Sequence, residues 1–338
     1  LSLDKLLGKK SKYDVLNSVG LLLVPARVTI DDGYIRLLEQ HHVSESEILI
    51  MDERMEAALP STAMLVQQAA GYSKQLFNQA KSKNRLPLHE IKNELLPIVQ
   101  QVSAHPNVFQ LFESVKAKDE YTHQHNIGVG VLSTLIGKWM KLSESDMALL
   151  SLAATLHDVG KIHVSDDILL KPGKLSAEEY EEVKRHTTFG YEILKETAGL
   201  DPRVSLIALQ HHERLDGKGY PQGLREHEMD PFSRIVAVAD VFHAMSSKRP
   251  YHEPRPFYEI VNEMRRGSFG ELDPNVVSLF LKMMIRHLIG SKVKLTDGSW
   301  GEVVYINPHD DAHPLIKVED KFLDLSQARH IHIQEVIV

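Results

Sequence analysis

The sequence contains no cysteine, which excludes disulfide bridges, zinc–thiolate sites and iron–sulfur clusters. Any metal must therefore be held by His, Asp and Glu, a donor set open to iron, manganese, nickel, cobalt or zinc. Long apolar runs are missing too; the stretch from Gly20 to Ala26 is far too short to cross a bilayer. No signal-peptide pattern precedes it, so no membrane span and a cytoplasmic location are expected. Positive charge is in deficit. A net charge of −7 over 338 residues argues against a surface that coats a nucleic-acid polymer, while leaving room for a local basic pocket around a phosphate. Repeats and low-complexity tracts are absent. The 43% apolar and 25% charged fractions are those of an ordinary globular chain of two or three domains. The 19 histidines stand out, but their number alone decides nothing.

The expected fold class is mainly α, with a small module at each end. Residues 1–55 read as a small α/β module. Leu21 to Val24, Val28 to Ile30 and Ile48 to Met51 are its strands, and Asp31 to His42 is its helix. Its lysines (Lys5, Lys9, Lys10, Lys12) read as a solvated terminus. Asp31-Asp32 resembles a receiver's acidic pair, without that fold's longer βα repeats. Residues 56–104 form a helical connector. Pro60 to Lys83 is one helix, Asn84-Arg85-Leu86-Pro87 a break, and Leu88 to Ser103 a second helix kinked near Pro97.

Residues 105–290 are helix after helix. Ser143 with Asp146, and Ser176 with Glu179, suggest capping boxes, the second opening a helix that carries His186. Asp201-Pro202 starts the next, Ser233 the one holding Asp240, and Pro256 to Arg266 is closed by Gly267. Asp273-Pro274 opens the last, closed by Gly290. Residues 291–338 then change to period two and form a β-rich appendage, with strands at Val293 to Leu295, Gly301 to Ile306, Leu315 to Val318 and Ile331 to Val338. His309, His313, His330 and His332 in this appendage read as surface residues.

The chain is organised around His211-His212-Glu213-Arg214-Leu215-Asp216-Gly217-Lys218-Gly219-Tyr220-Pro221. Val204, Ile207, Ala208 and His211 fall on one apolar helix face, so His211 stands where leucine would be the ordinary choice. Asp240 lies in the apolar run Ile235 to Phe242, where a lone carboxylate would be costly to bury. It needs either a salt-bridge partner or a metal. His157-Asp158 raises the same question at the end of a Leu- and Ala-rich helix. With His125 and His186, five histidines and two aspartates stand at helical positions of one all-α segment.

Taken in order, Tyr121-Thr122-His123-Gln124-His125-Asn126, His157-Asp158-Val159-Gly160-Lys161, His186-Thr187-Thr188-Phe189-Gly190, the 211–221 stretch, and Val238-Ala239-Asp240-Val241-Phe242 followed by Arg249-Pro250-Tyr251 resemble the HD-GYP branch of the HD phosphohydrolases. The resemblance covers residues 118–285. It implies an HD-type helical bundle that hydrolyses cyclic di-GMP by attack of a metal-bridging hydroxide, with linear pGpG as the dominant product and GMP as an optional further one. It implies two divalent metal ions, with iron or manganese ahead of nickel, zinc and cobalt. His125, His157, Asp158 and Asp240 would hold one. His186, His211 and His212 would hold the other, with Asp158 bridging. Lys161 would place a positive charge near the phosphate and, with Asp158, serve the chemistry. Gly219, Tyr220, Arg249 and His252 would contact substrate, and Glu213, Arg214 and Asp216 would fix the loop. GGDEF-domain partners through the Gly-Tyr-Pro loop, and a homodimer, are further expectations.

Three positions depart from the family pattern. Tyr121 stands where some members carry a glutamate for a third metal, and Glu120 is one residue off, so two metals are expected. His243 replaces a frequent aspartate three residues after Asp240, as a contact to substrate or to a metal-bound water, or as a neutral surface or second-layer residue. His252 replaces a frequent lysine or arginine. A cyclic di-GMP receptor or scaffold with little turnover is the alternative, and a hydrolase acting on a mixed cyclic dinucleotide is a third reading.

Overall fold

The computed structural model describes residues 3–11, 15–16, 22–24, 29–45, 48, 50, 61–83, 86–105, 107–116, 121–171, 173–247, 255–267, 269–307 and 310–337. They fall into two compact units, Leu1–Ser61 and Thr62–Val338.

In the first unit, Val15–Leu16 pairs antiparallel with Leu22–Val24. The helix Asp32–Gln40 starts where the Asp31 carboxylate accepts the Tyr34 N–H at 2.9 Å. Its buried face, Ile35 and Leu38, joins Leu3, Leu6, Val15, Leu23, Val24 and Ile30 in a small core. Of the two further strands expected here, Val28, Leu49 and Met51 lie outside the described residues; Thr29 and Ile50 make isolated bridges to Lys10 and Ser11.

The second unit opens with the helix Thr62–Lys83. The kink expected near Pro97 takes a definite form. A π-helical segment, Ile91–Leu95, separates Leu88–Glu90 from the α-helix Leu96–Ser103, with the Leu96 N–H bonded back to Ile91 O. Proline has no N–H to give, so the regular ladder is interrupted where Pro97 enters the chain.

Helices follow at Val108–Val115, Tyr121–Trp139, Glu144–Leu156, Ala177–Lys184, His186–Lys195, Pro202–Gln210, Pro231–Ser246, Phe257–Gly267 and Pro274–Arg286. Tyr121–Trp139 is the axis. It buries Ile127, Val129, Val131, Leu132 and Ile136, and packs against Glu144–Leu156, Pro231–Ser246 and Thr62–Lys83. Every residue from His125 to Gly137 is buried, so this stretch has no solvent face to offer and takes the middle of the bundle. Each such aliphatic side chain contributes about 1.5–3 kcal/mol on burial.

Two helix starts differ from expectation. The helix bearing Asp240 begins at Pro231, capped by the Asp230 carboxylate, which accepts the Phe232 N–H at 2.8 Å. Ser233 is inside it, fully buried, and donates to Gln210 Oε1. Asp-Pro, as at Asp201-Pro202 and Asp273-Pro274, is the start signal at all three places. Ser176 and Glu179 form a full capping box, but the helix they open stops at Lys184, and His186 begins the next. Ser143 accepts the Asp146 N–H, while the Asp146 carboxylate takes the Ser143 hydroxyl rather than a backbone N–H, so only half of that box exists.

One bidentate pair ties the histidine-pair helix to the Asp240 helix. Arg203 Nε and an Arg203 terminal nitrogen donate to the two Asp230 oxygens at 2.7 and 3.0 Å. Gln210 Oε1 also accepts the Asp230 N–H at 2.8 Å.

The appendage is a five-stranded antiparallel sheet in the spatial order Lys321–Asp324, Asp310–Val318, Trp300–Asn307, Lys292–Leu295, Ile333–Ile337. Lys321–Asp324 is a strand the alternation did not announce. Val293, Leu295, Val303 and Ile316 line its buried face. His309 lies outside the described residues. No helix among the described residues is long and apolar enough to cross a membrane.

Candidate metal centre

Seven expected ligands converge inside the helical bundle of the second unit. His125, His157, Asp158, His186, His211 and Asp240 are buried, and His212 is half-buried. Donor atoms of Asp158, His186, His211 and His212 lie within 4.8 Å of one another, and those of His125, His157 and Asp158 do likewise. Asp158 belongs to both groups, and its two oxygens divide between them. Oδ2 faces His157 Nε2 at 3.5 Å and His125 Nε2 at 3.8 Å. Oδ1 faces His186 Nε2 at 3.2 Å and His211 Nε2 at 3.7 Å. Asp240 closes the cluster, with Oδ1 at 2.9 Å from His125 Nε2 and Oδ2 at 3.7 Å from His212 Nδ1.

The ring orientations follow from local backbone geometry. His157 Nδ1 donates to Ala154 O at 2.7 Å, His186 Nδ1 to Val183 O at 2.6 Å, and His211 Nδ1 to Ala208 O at 2.8 Å. A carbonyl can only accept, so Nδ1 carries the proton in each ring and Nε2 is left with its lone pair toward the centre. Each acceptor lies three residues back, in a helical turn just before the histidine.

The electrostatics favour neutral imidazoles beside ionised carboxylates. Burial pushes His157, His211 and His212 below the ordinary histidine value, and neighbouring imidazoles push the same way. Burial alone would raise the Asp158 carboxyl; the Lys161 ammonium with His157 and His186 outweighs it and holds the group well below the usual range. For Asp240, the burial effect is likewise outweighed by His125, His212 and His157. Neutral nitrogens and charged oxygens are the forms that bind metals.

The donor set passes a direct test of fit. His157 Nε2 and Asp158 Oδ1 are buried and make no hydrogen bond, even though Asp158 Oδ1 lies 3.2 Å from His186 Nε2. Leaving such groups unsatisfied costs about 1–3 kcal/mol each. Divalent cations held by imidazole and carboxylate would satisfy both, so the cluster fits divalent metal ions.

The cluster opens into a cavity of about 180 Å³ whose wall includes His125, Asp158, His186, His212 and Asp240, together with Lys161, Val183 and Tyr220. Lys161 Nζ is ion-paired with Asp158 Oδ2. Val183 is a wall residue that no sequence motif marks. Tyr220 stacks on His212, and burial raises its phenol pKa far above the ordinary tyrosine value. The loop is held from beneath by Glu213, whose two carboxylate oxygens accept the Gln222 and Leu224 N–H groups at 2.7 and 2.9 Å. Asp216 accepts the Lys218 N–H at 3.0 Å.

Gly219 does not reach the cavity wall. A Cβ there would meet Glu213 Cα and Arg214 N at 2.4 Å, so the packing of the loop requires glycine at this position. His243 is fully buried against His125, which removes substrate contact and leaves the second-layer role. Arg249 and His252 lie outside the described residues, as does Glu120, and nothing is described of the Tyr121 side chain.

The chain is similar to several known proteins. Residues 109–276 match the HD domain family. The chain is 45% identical over 183 residues to a cyclic di-GMP phosphodiesterase of Thermotoga maritima, covering 52% of this chain and 49% of that protein. It is 31% identical over 264 residues to one of Pseudomonas aeruginosa, covering 78% and 64%. A 3'3'-cGAMP-specific phosphodiesterase of Vibrio cholerae is 38% identical over 178 residues, covering 50% and 39%. The chain thus spans about half to under two thirds of the length of the first two relatives. An HDG"Y"P protein of Bdellovibrio bacteriovorus shares the fold, with a TM-score of 0.54 at 17% identity over 84% of this chain and 98% of that one.

Proposed function

We propose that this chain, whose residues 109–276 match the HD domain family, is an HD-GYP-type, metal-dependent phosphodiesterase that opens cyclic di-GMP to linear pGpG, with GMP as a further product. The observation that carries this reading is the division of Asp158, one carboxylate oxygen toward each histidine group. In this proposal His125, His157, Asp158 and Asp240 hold one divalent cation, and His186, His211 and His212 share Asp158 with the other. Iron or manganese are the first candidates, then nickel, zinc and cobalt. When bound, such a pair ionises a water at neutral pH and offsets charge on phosphate oxygens.

The chain's own groups account for the rest. Lys161 adds a positive charge at the cavity wall, where the non-bridging oxygens of a phosphodiester would lie. Tyr220 keeps its proton throughout the neutral range and can donate a hydrogen bond while its ring faces a base or ribose. The Nδ1 contacts hold three imidazoles so that no reorientation is needed on binding. The cavity is smaller than a cyclic dinucleotide, so one phosphodiester enters it and the bases extend outward past Tyr220. GGDEF-domain partners at this loop, a homodimer and a cytoplasmic location belong to the same proposal.

The test is product analysis on protein reconstituted anaerobically with iron or manganese, using cyclic di-GMP and 3'3'-cGAMP in parallel and D158A as control. Conversion of cyclic di-GMP to pGpG by the wild type and not by D158A is expected. Tight binding without turnover would favour the receptor reading, and preferential cleavage of 3'3'-cGAMP the mixed-dinucleotide one.

A further inference from the structure

The side chain of His243 touches the metal cluster from behind, and its hydrogen bonds have a fixed polarity. His243 Nε2 lies 2.8 Å from Val115 O, the last residue of the Val108–Val115 helix. The carbonyl can only accept, so Nε2 carries the proton, and the Nδ1 of a neutral ring is left as an acceptor. That Nδ1 lies 3.0 Å from His125 Nδ1. Ser247 Oγ is 3.4 Å from the same atom, too long to displace the shorter contact. With a cation bound, His125 would then carry its proton on Nδ1 and turn its Nε2 lone pair to that cation, beside the Asp240 and Asp158 oxygens that lie 2.9 and 3.8 Å from this nitrogen.

His125 differs from His157, His186 and His211 in having a side chain, that of His243, against its Nδ1. His243 does for it what Ala154, Val183 and Ala208 do for the others. Space for the second ring is supplied from the Tyr121–Trp139 helix. A Cβ at Gly128 would fall 2.0 Å from His243 Nε2 and 2.3 Å from its Cδ2.

We propose that His243 is the positioning residue for His125, fixing its tautomer and ring angle through the chain Val115 O–His243–His125, and that Gly128 exists to admit the His243 ring. The inference rests on the metal-binding reading above and concerns one of its two sites. An aspartate at 243 could accept from His125 but could not donate to Val115 O, so this device is particular to a histidine here.

The test is metal content per chain on the intact protein loaded with Mn²⁺, together with long-range ¹H–¹⁵N spectra of the imidazoles in the Zn²⁺-loaded form. The wild type is expected to hold two ions, with His243 protonated on Nε2 and His125 on Nδ1. H243L is expected to hold one ion normally and the other about 10- to 100-fold more weakly. The retained ion reports that the bundle is still folded. H243Q, which can accept and donate at once, should recover much of the loss, and G128A should reproduce it with every ligand in place. Should H243L fail to fold, the wild-type spectra decide alone: His243 protonated on Nδ1, or on both nitrogens, overturns the proposal. So do two ions held at wild-type affinity by H243L. A wild type that takes up no metal would instead bring down the reading of the function on which this one stands.

Discussion

Tyr220 lies nearly parallel on His212, ring centroids 4.7 Å apart and planes 27° from each other. Lys184 Nζ sits 5.5 Å from the same tyrosine ring. The Tyr220 loop and a candidate metal ligand therefore share one packed surface. Stacked aromatic pairs add about 0.5–1.5 kcal/mol beyond the area they bury.

Replacing Tyr220 separates its two roles. Y220F keeps the ring and should hold metal as the wild type does. Y220A removes the support of His212 and should lower both metal affinity and kcat/KM for cyclic di-GMP, each by about 10-fold, the equivalent of about 1.4 kcal/mol. Parallel metal titrations and steady-state kinetics read the two effects. Unchanged metal affinity in Y220A would mean that the stack does not hold His212 in place.

Both proposed sites depend on Asp158, which belongs to each of the two ligand groups. D158N keeps one carbonyl oxygen and turns the other acceptor into a donor, so it can serve one histidine group at most. Metal content should fall to one ion per chain or fewer, with a loss of at least ~10²-fold in turnover. Elemental analysis beside the activity assay checks this.

Glu213 is buried and anchors the loop with charge-assisted bonds to two backbone N–H groups. E213A leaves both donors unpaired, at a cost of about 1–3 kcal/mol each. Thermal unfolding of the metal-loaded protein should show a clear drop in midpoint, and KM should rise because Tyr220 belongs to the same loop. A KM change without a stability change would argue that the anchor is not intact.

Acid should destabilise the metal-free protein in two stages of the same sign. His157, His211 and His212 have folded-state pKa values below the ordinary 6.5, so the unfolded chain binds more protons. Their contribution is fully present above pH 6.5 and is lost as pH falls below it. Asp158 and Asp240 are held below the ordinary 3.8, and their contribution goes as pH falls from there toward the folded values. Thermal midpoints of chelator-treated protein should decline from about pH 7 to 5 and again below about 4. Excess Mn²⁺ at neutral pH should raise them by mass action. A midpoint that rises on acidification from neutral pH would contradict the assignment of neutral imidazoles.

The Arg203–Asp230 pair is the brace between the helix that carries His211 and His212 and the helix that carries Asp240. Arg203 is about a third exposed, which tempers the loss, and R203M should cost roughly 1–3 kcal/mol of stability. Because the brace is distant from the cavity wall, kcat should fall less than the thermal midpoint suggests. Kinetics at low temperature separate the two.

Much of this molecule could be read along the chain. The Asp-Pro starts at Asp201 and Asp273 are local chemistry, a carboxylate capping N–H groups and a ring that prefers the first helical turn. The aspartate–proline at 230–231 gives the same signal, and Ser233 competes with it only by standing closer to the apolar run. The HD and HH doublets were equally legible, since buried carboxylates and imidazoles in apolar helices demand partners. The alternation after Gly290 announced a sheet, but missed Lys321–Asp324, an edge strand whose residues are mostly exposed and so carry little alternation.

Residue type and helical phase, which depend only on neighbours in the chain, thus settled which groups turn inward and where the helices after Asp201 and Asp273 begin. They could not settle which ring nitrogen meets which oxygen, that Asp158 divides its two oxygens between two histidine groups, or that His243 belongs behind His125, 118 residues away. Those are distances between separate helices, fixed by how side chains from Tyr121–Trp139, Glu144–Leu156 and Pro231–Ser246 fill a common interior. Packing of that kind is a property of the folded whole, and no local stretch contains it.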